Sequence, residues 1–336
     1  MTRRRARQEE RVAMAEALKD EIVTVFGGSG FLGRHVVRAL AKRGYRIRPA
    51  VRRPDLAGHL QPLGMAGQIL PVQANLRYPA SVARALEGAS AAINLVGILA
   101  PTGRQSFEAV QAGGARTVAE AVKAAGIATL VHVSAIGADA NSPSAYARTK
   151  AKGEEAVKAA MPGATIFRPS IVFGPEDGFF NRFAAIARMS PILPAFGADT
   201  RFQPVFVGDV AEAIARAIDG TIAAGRVYEL GGPETKTFRE CLALVNRETA
   251  RTRPIVGVPL GLAKTVARLT EWLPGAPVTV DQLLLLEKDN VVSAEATAEG
   301  RTLAGIGIRP TNLEAILPTY LYRFRKHGQF DARRIA

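Results

Sequence analysis

The stretch that decides the fold lies near the start of the chain and reads Val23-Thr24-Val25-Phe26-Gly27-Gly28-Ser29-Gly30-Phe31-Leu32-Gly33-Arg34-His35-Val36-Val37. It opens with a short apolar run rich in β-branched residues, which is typical of a buried strand. Three spaced glycines follow, and the sequence then enters a pattern in which apolar residues recur every three or four positions, as on one helix face. A strand, a glycine-rich turn and a helix in this order predict the first unit of a dinucleotide-binding fold.

The glycines of this turn have separate predicted roles. Gly27 allows the tight turn, Gly30 leaves room for a pyrophosphate, and Gly33 lets the helix pack closely on the strand. The N-terminus of the helix then offers N–H groups and partial positive charge to the phosphates. We therefore predict cofactor contacts for Gly27, Gly28, Ser29, Gly30, Phe31, Leu32 and Gly33, although a tight turn without a ligand would use the same residues.

The end of the second predicted strand carries Arg52 and Arg53, 19 and 20 residues after Gly33. A cofactor without a 2′-phosphate usually meets an acidic residue at this place. A guanidinium group instead forms bidentate hydrogen bonds with a phosphate. The sequence thus favours NADP(H) over NAD(H), with Arg34 as a further contact, unless the arginines are simply solvated.

Composition narrows the classes of partner. The chain has 336 residues and a net charge of +14, which favours anionic partners, but it carries no nucleic-acid-binding motif. Cys241 is the single cysteine, so no intrachain disulfide forms, and the four histidines show no metal-ligand spacing. No apolar run is long enough to span a bilayer. We interpret residues 1–20 as a charged extension.

The first half of the chain alternates strand and helix patterns and predicts an α/β fold with a doubly wound parallel sheet. Residues 21–175 are expected to form the Rossmann core, with residues 203–231 returning to it. Residues 176–202 and 232–330 are expected to form a smaller, mainly helical region. Predicted strands cover 45–51, 69–72, 91–97, 129–134, 164–167 and 226–230; predicted helices cover 79–86, 107–125, 145–161 and 211–218, and 191–196 is predicted as a loop.

A Tyr146-x-x-x-Lys150 pair lies on the helix that follows the fifth predicted strand. Residues four apart share a helix face, and an ammonium beside a phenol favours the phenolate. Tyr146 is therefore a candidate general acid, with Lys150 tuning its pKa and holding a cofactor ribose. Ser134, at the end of the fifth strand, is a candidate anchor for a substrate oxygen, and a capping serine is the alternative.

A second amphipathic pattern lies near the C-terminus, where Leu262, Val266, Leu269 and Leu273 share a helix face. The pattern fits packing inside the smaller region. It also fits docking on a membrane surface or on a partner protein.

Taken together, the chain resembles the short-chain dehydrogenase/reductase superfamily, in its extended or atypical branch. The motifs that carry the resemblance are Gly27-x-x-Gly30-x-x-Gly33, Asn94-Leu95-Val96-Gly97, Tyr146-x-x-x-Lys150 and Arg168-Pro169-Ser170, in the order that the superfamily uses. More narrowly, the chain is similar to the NADPH-binding accessory subunits of respiratory complex I (NADH:ubiquinone oxidoreductase) and their bacterial relatives. Three stretches carry that match, over residues 25–34, 168–177 and 203–210.

The resemblance implies a tightly bound NADPH that is mainly structural, held next to the junction of the quinone site and the membrane arm. It implies further cofactor contacts from Asn75, Leu76, Val96, Gly97, Arg168, Pro169, Ser170 and Ile171. The implied partners are complex I subunits of the hydrophilic arm and membrane junction, with anionic lipid or quinone as further candidates and no nucleic acid. The implied location is peripheral, on the cytoplasmic side of a bacterial inner membrane.

Two other functions stay open at this stage. Tyr146, Lys150 and Ser134 could serve a free-standing NADPH-dependent oxidoreductase or epimerase, or they could be vestigial and only grip the cofactor. A module that senses the NADP(H) ratio and docks a partner is the remaining alternative.

Overall fold

The computed structural model describes residues 18–271 and 278–326. The strands in chain order are β1 (Ile22–Phe26), β2 (Arg46–Val51), β3 (Val72–Gln73), β4 (Ala91–Asn94), β5 (Thr129–Val133), β6 (Thr165–Pro169), β7 (Val172–Phe173), β8 (Leu193–Phe196), β9 (Arg201–Phe202), β10 (Val205–Phe206), β11 (Val227–Leu230), β12 (Lys236–Thr237) and β13 (Ile255–Val258).

Helices occupy most of the connections between these strands. The α-helices are α1 (Phe31–Ala41), α2 (Pro79–Leu86), α3 (Gly113–Ala124), α4 (Ala145–Ala160), α5 (Phe180–Met189), α6 (Val207–Ile218), α7 (Phe238–Glu248), α8 (Leu260–Thr270), α9 (Val280–Leu285), α10 (Ala294–Ala298) and α11 (Leu313–Leu321). Within the described ranges, none of them has the length and apolar character needed to cross a bilayer.

Seven strands form one parallel sheet in the order β11-β6-β5-β4-β1-β2-β3. The chain builds outward from β1 to β3 and then crosses back to place β4 on the other side of β1. The strand order therefore reverses between β1 and β4, which is the topological switch point of a doubly wound fold. The predicted α/β class and sheet type are confirmed.

Helices cover both faces of the sheet because successive strand residues point to opposite sides. Val25 of β1 belongs to the core that also holds Val36 of α1 and Ile214 of α6. Its neighbour Phe26 belongs to the core on the other face, which includes Val118 of α3. A parallel sheet that is buried on both faces explains why its strands read as nearly continuous apolar runs.

A separate phenylalanine-rich core lies outside the sheet, and we call the part of the chain around it, with α5, α7 and α11, the small lobe. Edge-to-face ring contacts at centroid distances of 5.0–5.3 Å join Phe179, Phe180, Phe183 and Phe238. Buried residues of all three helices belong to the same cluster. The domain boundaries at residues 20, 175 and 231 stay a prediction.

Several element boundaries differ from those that the sequence predicts. β3 contains only two residues, while Ile69 makes an isolated bridge to Ile47. β4 ends at Asn94, so that Leu95–Gly97 leave the sheet as a loop. The predicted 107–125 helix begins with a π-helical turn at Glu108–Ala112 before α3. The apolar pattern of one segment does not indicate how far its neighbouring strand extends, so the sequence did not give these ends.

The predicted loop at 191–196 contains β8, which pairs in parallel with β13. A proline-punctuated segment lacks the donors of a central strand, but it can form a short two-stranded ribbon. α6 also starts at Val207, four residues earlier than the predicted start at Ala211.

The large apolar side chains of the amphipathic pattern on α8 are not packed inside the smaller region. Leu262, Val266 and Leu269 are 59%, 48% and 69% exposed, whereas Ala263 and Ala267 are buried against Leu283. The small side chains, rather than the large ones, face the neighbouring helix α9. Leu273, the last member of the pattern, lies outside the described residues.

Candidate functional site

The glycine turn connects β1 directly to α1. Gly27 has a positive φ of +81°, and its N–H donates to the carbonyl of Ala50 at 3.1 Å. A Cβ on Gly33 would lie 2.3 Å from the carbonyl oxygen of Gly27, which no side chain tolerates. The turn and α1 can therefore approach each other only with glycine at position 33. The result is a helix N-terminus aimed into the cleft beside the turn.

This cleft lies at the carboxyl ends of β1 to β4, at the point where the strand order reverses. It has a volume of about 350 Å³. Of the predicted cofactor residues, its walls contain Gly27, Ser29, Gly30, Phe31, Leu32, Gly33, Arg52, Asn75, Leu76, Val96 and Gly97. Its size and its place in the fold suit an elongated ligand that carries phosphate groups.

The arginines near the cleft differ in what they contact. Arg52 lines the cleft and donates to Gln105 Oε1 at 2.7 Å. Arg53 pairs with Asp55, and its side chain is 69% exposed. Arg34 pairs with Glu176 at 3.3 Å, and its buried Nε has no partner among the described residues. Arg53 does not line the cleft. Of the arginines predicted to bind the 2′-phosphate, only Arg52 belongs to the cleft lining.

Lys150 of α4 connects the Tyr-Lys pair to the cleft. Its Nζ lies 6.0 Å from the centroid of the Tyr146 ring and donates to the carbonyl of Val133 at 3.3 Å. The same Nζ lies 3.2 Å from the point that a Cβ on Gly97 would occupy. Ser134 follows β5 directly, and its buried Oγ has no hydrogen-bond partner in the described part of the chain. An unpaired buried hydroxyl is a ready contact for a ligand oxygen.

The electrostatics around this pair favour a protonated Tyr146. Burial, together with the negative charge of the Asp281 carboxylate, raises the pKa of Tyr146 to about 12. Burial lowers the pKa of Lys150 to about 8, partly opposed by Glu154. Near neutral pH the phenol therefore keeps its proton and the ammonium keeps its charge.

Asp281 comes from α9, far along the chain, and contacts the N-terminus of α4. Its carboxylate accepts hydrogen bonds from Ser144 Oγ (2.9 Å), Ala145 N (2.6 Å) and Tyr146 N (3.3 Å). A carboxylate at this end of a helix satisfies unpaired N–H groups and complements the helix dipole. A segment outside the sheet thus fixes the first turn of the helix that carries Tyr146.

The Arg168-Pro169-Ser170-Ile171 motif lies at the end of β6 and makes contacts within the protein. Arg168 forms a bidentate pair with the buried Glu154, at 2.8 Å for both bonds. Ser170 Oγ donates to Asn290 at 2.6 Å, and Ile171 accepts a backbone hydrogen bond from Val205. A cofactor contact for this motif and for Gly28, which does not line the cleft, stays a prediction.

Two polar residues of the cleft lining were missed by the sequence interpretation. Arg77 lines the cleft beside Arg52, and Gln105 reaches the same place from the loop after β4. Arg77 directly follows the Asn75-Leu76 pair, so its position next to a predicted contact was a usable signal. Asp281 carried no such signal, because its partner is 135 residues away.

Residues 23–231 match the model of the NAD dependent epimerase/dehydratase family. The matched range contains the glycine turn, all seven strands of the parallel sheet and the Tyr146-Lys150 pair. The chain belongs to this family. Membership places it among short-chain dehydrogenase/reductase proteins with a Rossmann fold, as the motifs predict.

Curated relatives of this family member include respiratory-chain subunits. The mitochondrial NADH-ubiquinone oxidoreductase 40 kDa subunit of Neurospora crassa is 31% identical over 318 residues, which is 94% of this chain and 82% of that protein. The ceramide reductase of Caulobacter vibrioides is 37% identical over 190 residues, 56% of this chain and 58% of that protein. The first match runs along nearly the whole chain, and the second covers about half of it.

Solved structures agree on the fold. The NADPH-dependent quinone oxidoreductase QOR2 of Escherichia coli, complexed with NADPH, superposes with a TM-score of 0.69 at 20% identity. The superposition covers 90% of this chain and 99% of that one. At this identity the agreement concerns the chain path alone.

Proposed function

We propose that this protein is an NADPH-binding accessory subunit of a bacterial respiratory complex I. The observation that carries the proposal is the similarity to the Neurospora crassa 40 kDa subunit along 94% of the chain. A similarity that includes the small lobe as well as the Rossmann core favours a shared assembly over a shared cofactor alone.

In this proposal the cleft beside the glycine turn holds NADPH. Gly27, Gly30 and Gly33 let the pyrophosphate approach the backbone and the N-terminus of α1. Arg52 and Arg77 supply positive charge at the end of β2 and β3, where a cofactor without the 2′-phosphate would meet an acidic group. Lys150 holds the nicotinamide-side ribose, since its ammonium lies against Gly97 in the wall of the cleft.

The nucleotide has a mainly structural role in this assembly. A useful proton donor has a pKa near the working pH, whereas burial and Asp281 hold the pKa of Tyr146 at about 12. The Tyr146-Lys150 pair then serves to grip the cofactor more than to turn it over. The protein sits peripherally on the cytoplasmic side of the inner membrane, beside the quinone-site junction.

Native mass spectrometry on the complex purified from the organism's own membranes tests this proposal. We expect the chain to co-purify with the other subunits of the hydrophilic arm and to carry one NADPH that survives gel filtration. A catalytically complete complex that lacks this chain would contradict the assembly role. A chain that carries NADH, or no nucleotide, would contradict the cofactor role.

A second candidate function is a free-standing NADPH-dependent reductase, which the ceramide reductase similarity favours together with the unpaired Ser134 hydroxyl. Ser134 would donate to a substrate carbonyl oxygen, and Tyr146 would deliver the proton to that oxygen. Bound NADPH would supply the hydride to the carbonyl carbon.

Turnover of NADPH with a panel of ketones, aldehydes and quinones separates the two candidates. The reductase requires NADPH oxidation that is lost in Tyr146→Phe, with nucleotide affinity retained. If the protein is an accessory subunit, we expect the same rate of NADPH oxidation from the native protein and from this variant.

A further inference from the structure

A group of arginines in the small lobe has no role in the cofactor cleft. Arg188 lies in the last turn of α5, Arg251 and Arg253 precede β13, and Arg323 follows α11. None of them lines the cleft. We call these four residues the arginine cluster.

Phe324 contacts three of the four arginines in the cluster. Its carbonyl oxygen accepts a hydrogen bond from Arg251 Nη2 at 3.1 Å. Its ring lies 5.9 Å from the guanidinium carbon of Arg188 and 5.1 Å from that of Arg323. Arg253 Nε donates to the carbonyl oxygen of Ala187, directly before Arg188. Cation–π and backbone contacts therefore hold several guanidinium groups in one small region.

No carboxylate in the described part of the chain neutralises the charge of the cluster. Within residues 18–271 and 278–326, no carboxylate lies within ion-pair distance of Arg188, Arg251 or Arg253. Burial together with the like charges of Arg253 and Arg188 lowers the pKa of Arg251. Like charges held close together repel each other, and an anion placed between them removes that repulsion.

The hydrogen-bonding capacity of the cluster is also unfilled. Among the described residues, Arg251 Nε is buried without a hydrogen-bond partner, and Arg188 donates no hydrogen bond. Arg253 uses one side-chain N–H of five on the protein. Planar guanidinium groups with spare N–H donors match the tetrahedral oxygens of a phosphate group.

We propose that the arginine cluster is a phosphate-binding site of the small lobe, separate from the cofactor cleft. The ligand chemistry is a phosphate group bound by guanidinium groups of Arg188, Arg251 and Arg253. Its source is either a free phosphate compound or the headgroup of an anionic phospholipid. The exposed apolar side chains beside the cluster, Met189 (79% exposed) and Ile192 (42% exposed), suit the headgroup region of a bilayer.

Two probes distinguish the sources: inorganic phosphate, followed by calorimetry, and vesicles of equimolar phosphatidylcholine and phosphatidylglycerol, followed by co-sedimentation. The full chain is used as purified, with its nucleotide content measured beforehand. The test variant is Arg188→Gln/Arg253→Gln. The matched control, Arg84→Gln/Arg116→Gln, removes the same charge from exposed positions on the Rossmann half.

We expect the test variant to bind at least one probe about tenfold more weakly than the control, as the loss of charged hydrogen bonds implies. An effect on vesicles alone assigns the site to lipid headgroups, and an effect on inorganic phosphate assigns it to small phosphate compounds. Equal binding by both variants, or no binding of either probe by the native chain, overturns the site.

Arg188→Glu provides a second variant, since Arg188 is exposed and makes no hydrogen bond that folding needs. Its melting temperature should match that of the native protein, while its binding of the responsive probe should be weaker than that of the native chain. The nucleotide content of the native chain is a separate readout, so the failure of the phosphate site leaves the proposed NADPH role untouched, and the reverse also holds.

Discussion

Arg52 and Arg53 are neighbours in the sequence, but their guanidinium groups have different surroundings. Arg52 lies in the cleft wall and is bonded to Gln105, whereas Arg53 faces solvent beside Asp55. Successive residues at a strand end point in opposite directions, so only one of two adjacent arginines can face the same ligand. Arg77, which leaves the neighbouring strand β3, supplies the second guanidinium group instead.

The single substitutions Arg52→Ala and Arg77→Ala should each weaken NADPH binding by about ten- to a hundredfold. This is the range expected for the loss of a charged hydrogen bond. NADH binding should change little, because that cofactor has no 2′-phosphate. Calorimetric titration with both cofactors measures the two effects. Arg53→Ala is the matched control and should bind NADPH like the native chain. A larger loss in Arg53→Ala than in Arg77→Ala would falsify this division of roles.

Arg168 offers a second test at the scale of single residues. Its bidentate partner Glu154 has 2% exposure, so Arg168→Met leaves a buried carboxylate without its main partner. We expect a loss of about 3 kcal/mol of unfolding free energy, measured by urea denaturation. NADPH affinity at a temperature where the variant is folded should stay close to native.

The exposed pair Arg53–Asp55 supplies the comparison for this stability effect, because a solvated ion pair contributes little. Arg53→Met should unfold at nearly the native urea concentration. If Arg168→Met kept native stability but lost NADPH binding, the motif would contact the cofactor directly, as the family resemblance implies.

At the scale of elements, the N-terminus of α4 depends on a residue from another part of the chain. Asp281 accepts three hydrogen bonds there, and its negative charge adds to the burial that keeps Tyr146 protonated. The substitution Asp281→Asn removes the negative charge but keeps a side-chain oxygen that can accept a hydrogen bond. The pKa of Tyr146 should therefore fall from about 12 but stay above its ordinary value of 10.0, since burial remains.

A spectroscopic pH titration measures this change through the absorbance of the phenolate. The signal of Tyr146 is the part of that absorbance that disappears when Tyr146→Phe is added to the same protein. Asp139→Asn is the control, because Asp139 pairs with Lys288 near α9 without touching α4 through its carboxylate. We expect the pKa of Tyr146 to be lower in Asp281→Asn and unchanged in Asp139→Asn. An unchanged pKa in both variants would show that burial alone sets the protonation of Tyr146.

Elements with their own periodic pattern were predictable, and elements defined by pairing were not. α2 has the predicted bounds and α4 differs from its prediction by one residue, because the residue patterns that indicate these helices lie within the segments themselves. β8 was predicted as a loop, since its strand character depends on β13, about sixty residues later. The apolar pattern of α8 was recognised in the sequence, but the side chains that this helix buries are those of Ala263 and Ala267.

At the scale of the whole molecule, residues 281–290 connect the small lobe to the Rossmann core. Asp281 contacts α4, Lys288 pairs with Asp139, and Asn290 accepts from Ser170 and donates to the carbonyl of Ile136. The Rossmann core and the small lobe are therefore in contact near the predicted catalytic residues. We expect calorimetric unfolding as one transition, and saturating NADPH at a hundred times its Kd should add about 2.7 kcal/mol to the unfolding free energy.

A scanning calorimetry series with and without NADPH checks this expectation, and NADH at the same concentration is the control. A single peak that moves to a higher temperature with NADPH supports coupled lobes. Two peaks, of which only one responds to the cofactor, would show that the small lobe unfolds independently.

The sequence by itself determined the parallel α/β fold, the glycine turn and the Tyr146-Lys150 pair, because each is encoded by residues close together along the chain. Strand patterns, positive-φ glycines and helix-face spacing are local properties that need no knowledge of distant partners. Only the tertiary structure decided which arginines face the cleft, which residue caps α4 and which arginines have no carboxylate partner among the described residues. These features depend on contacts between segments up to 150 residues apart, and no local pattern records which segments meet.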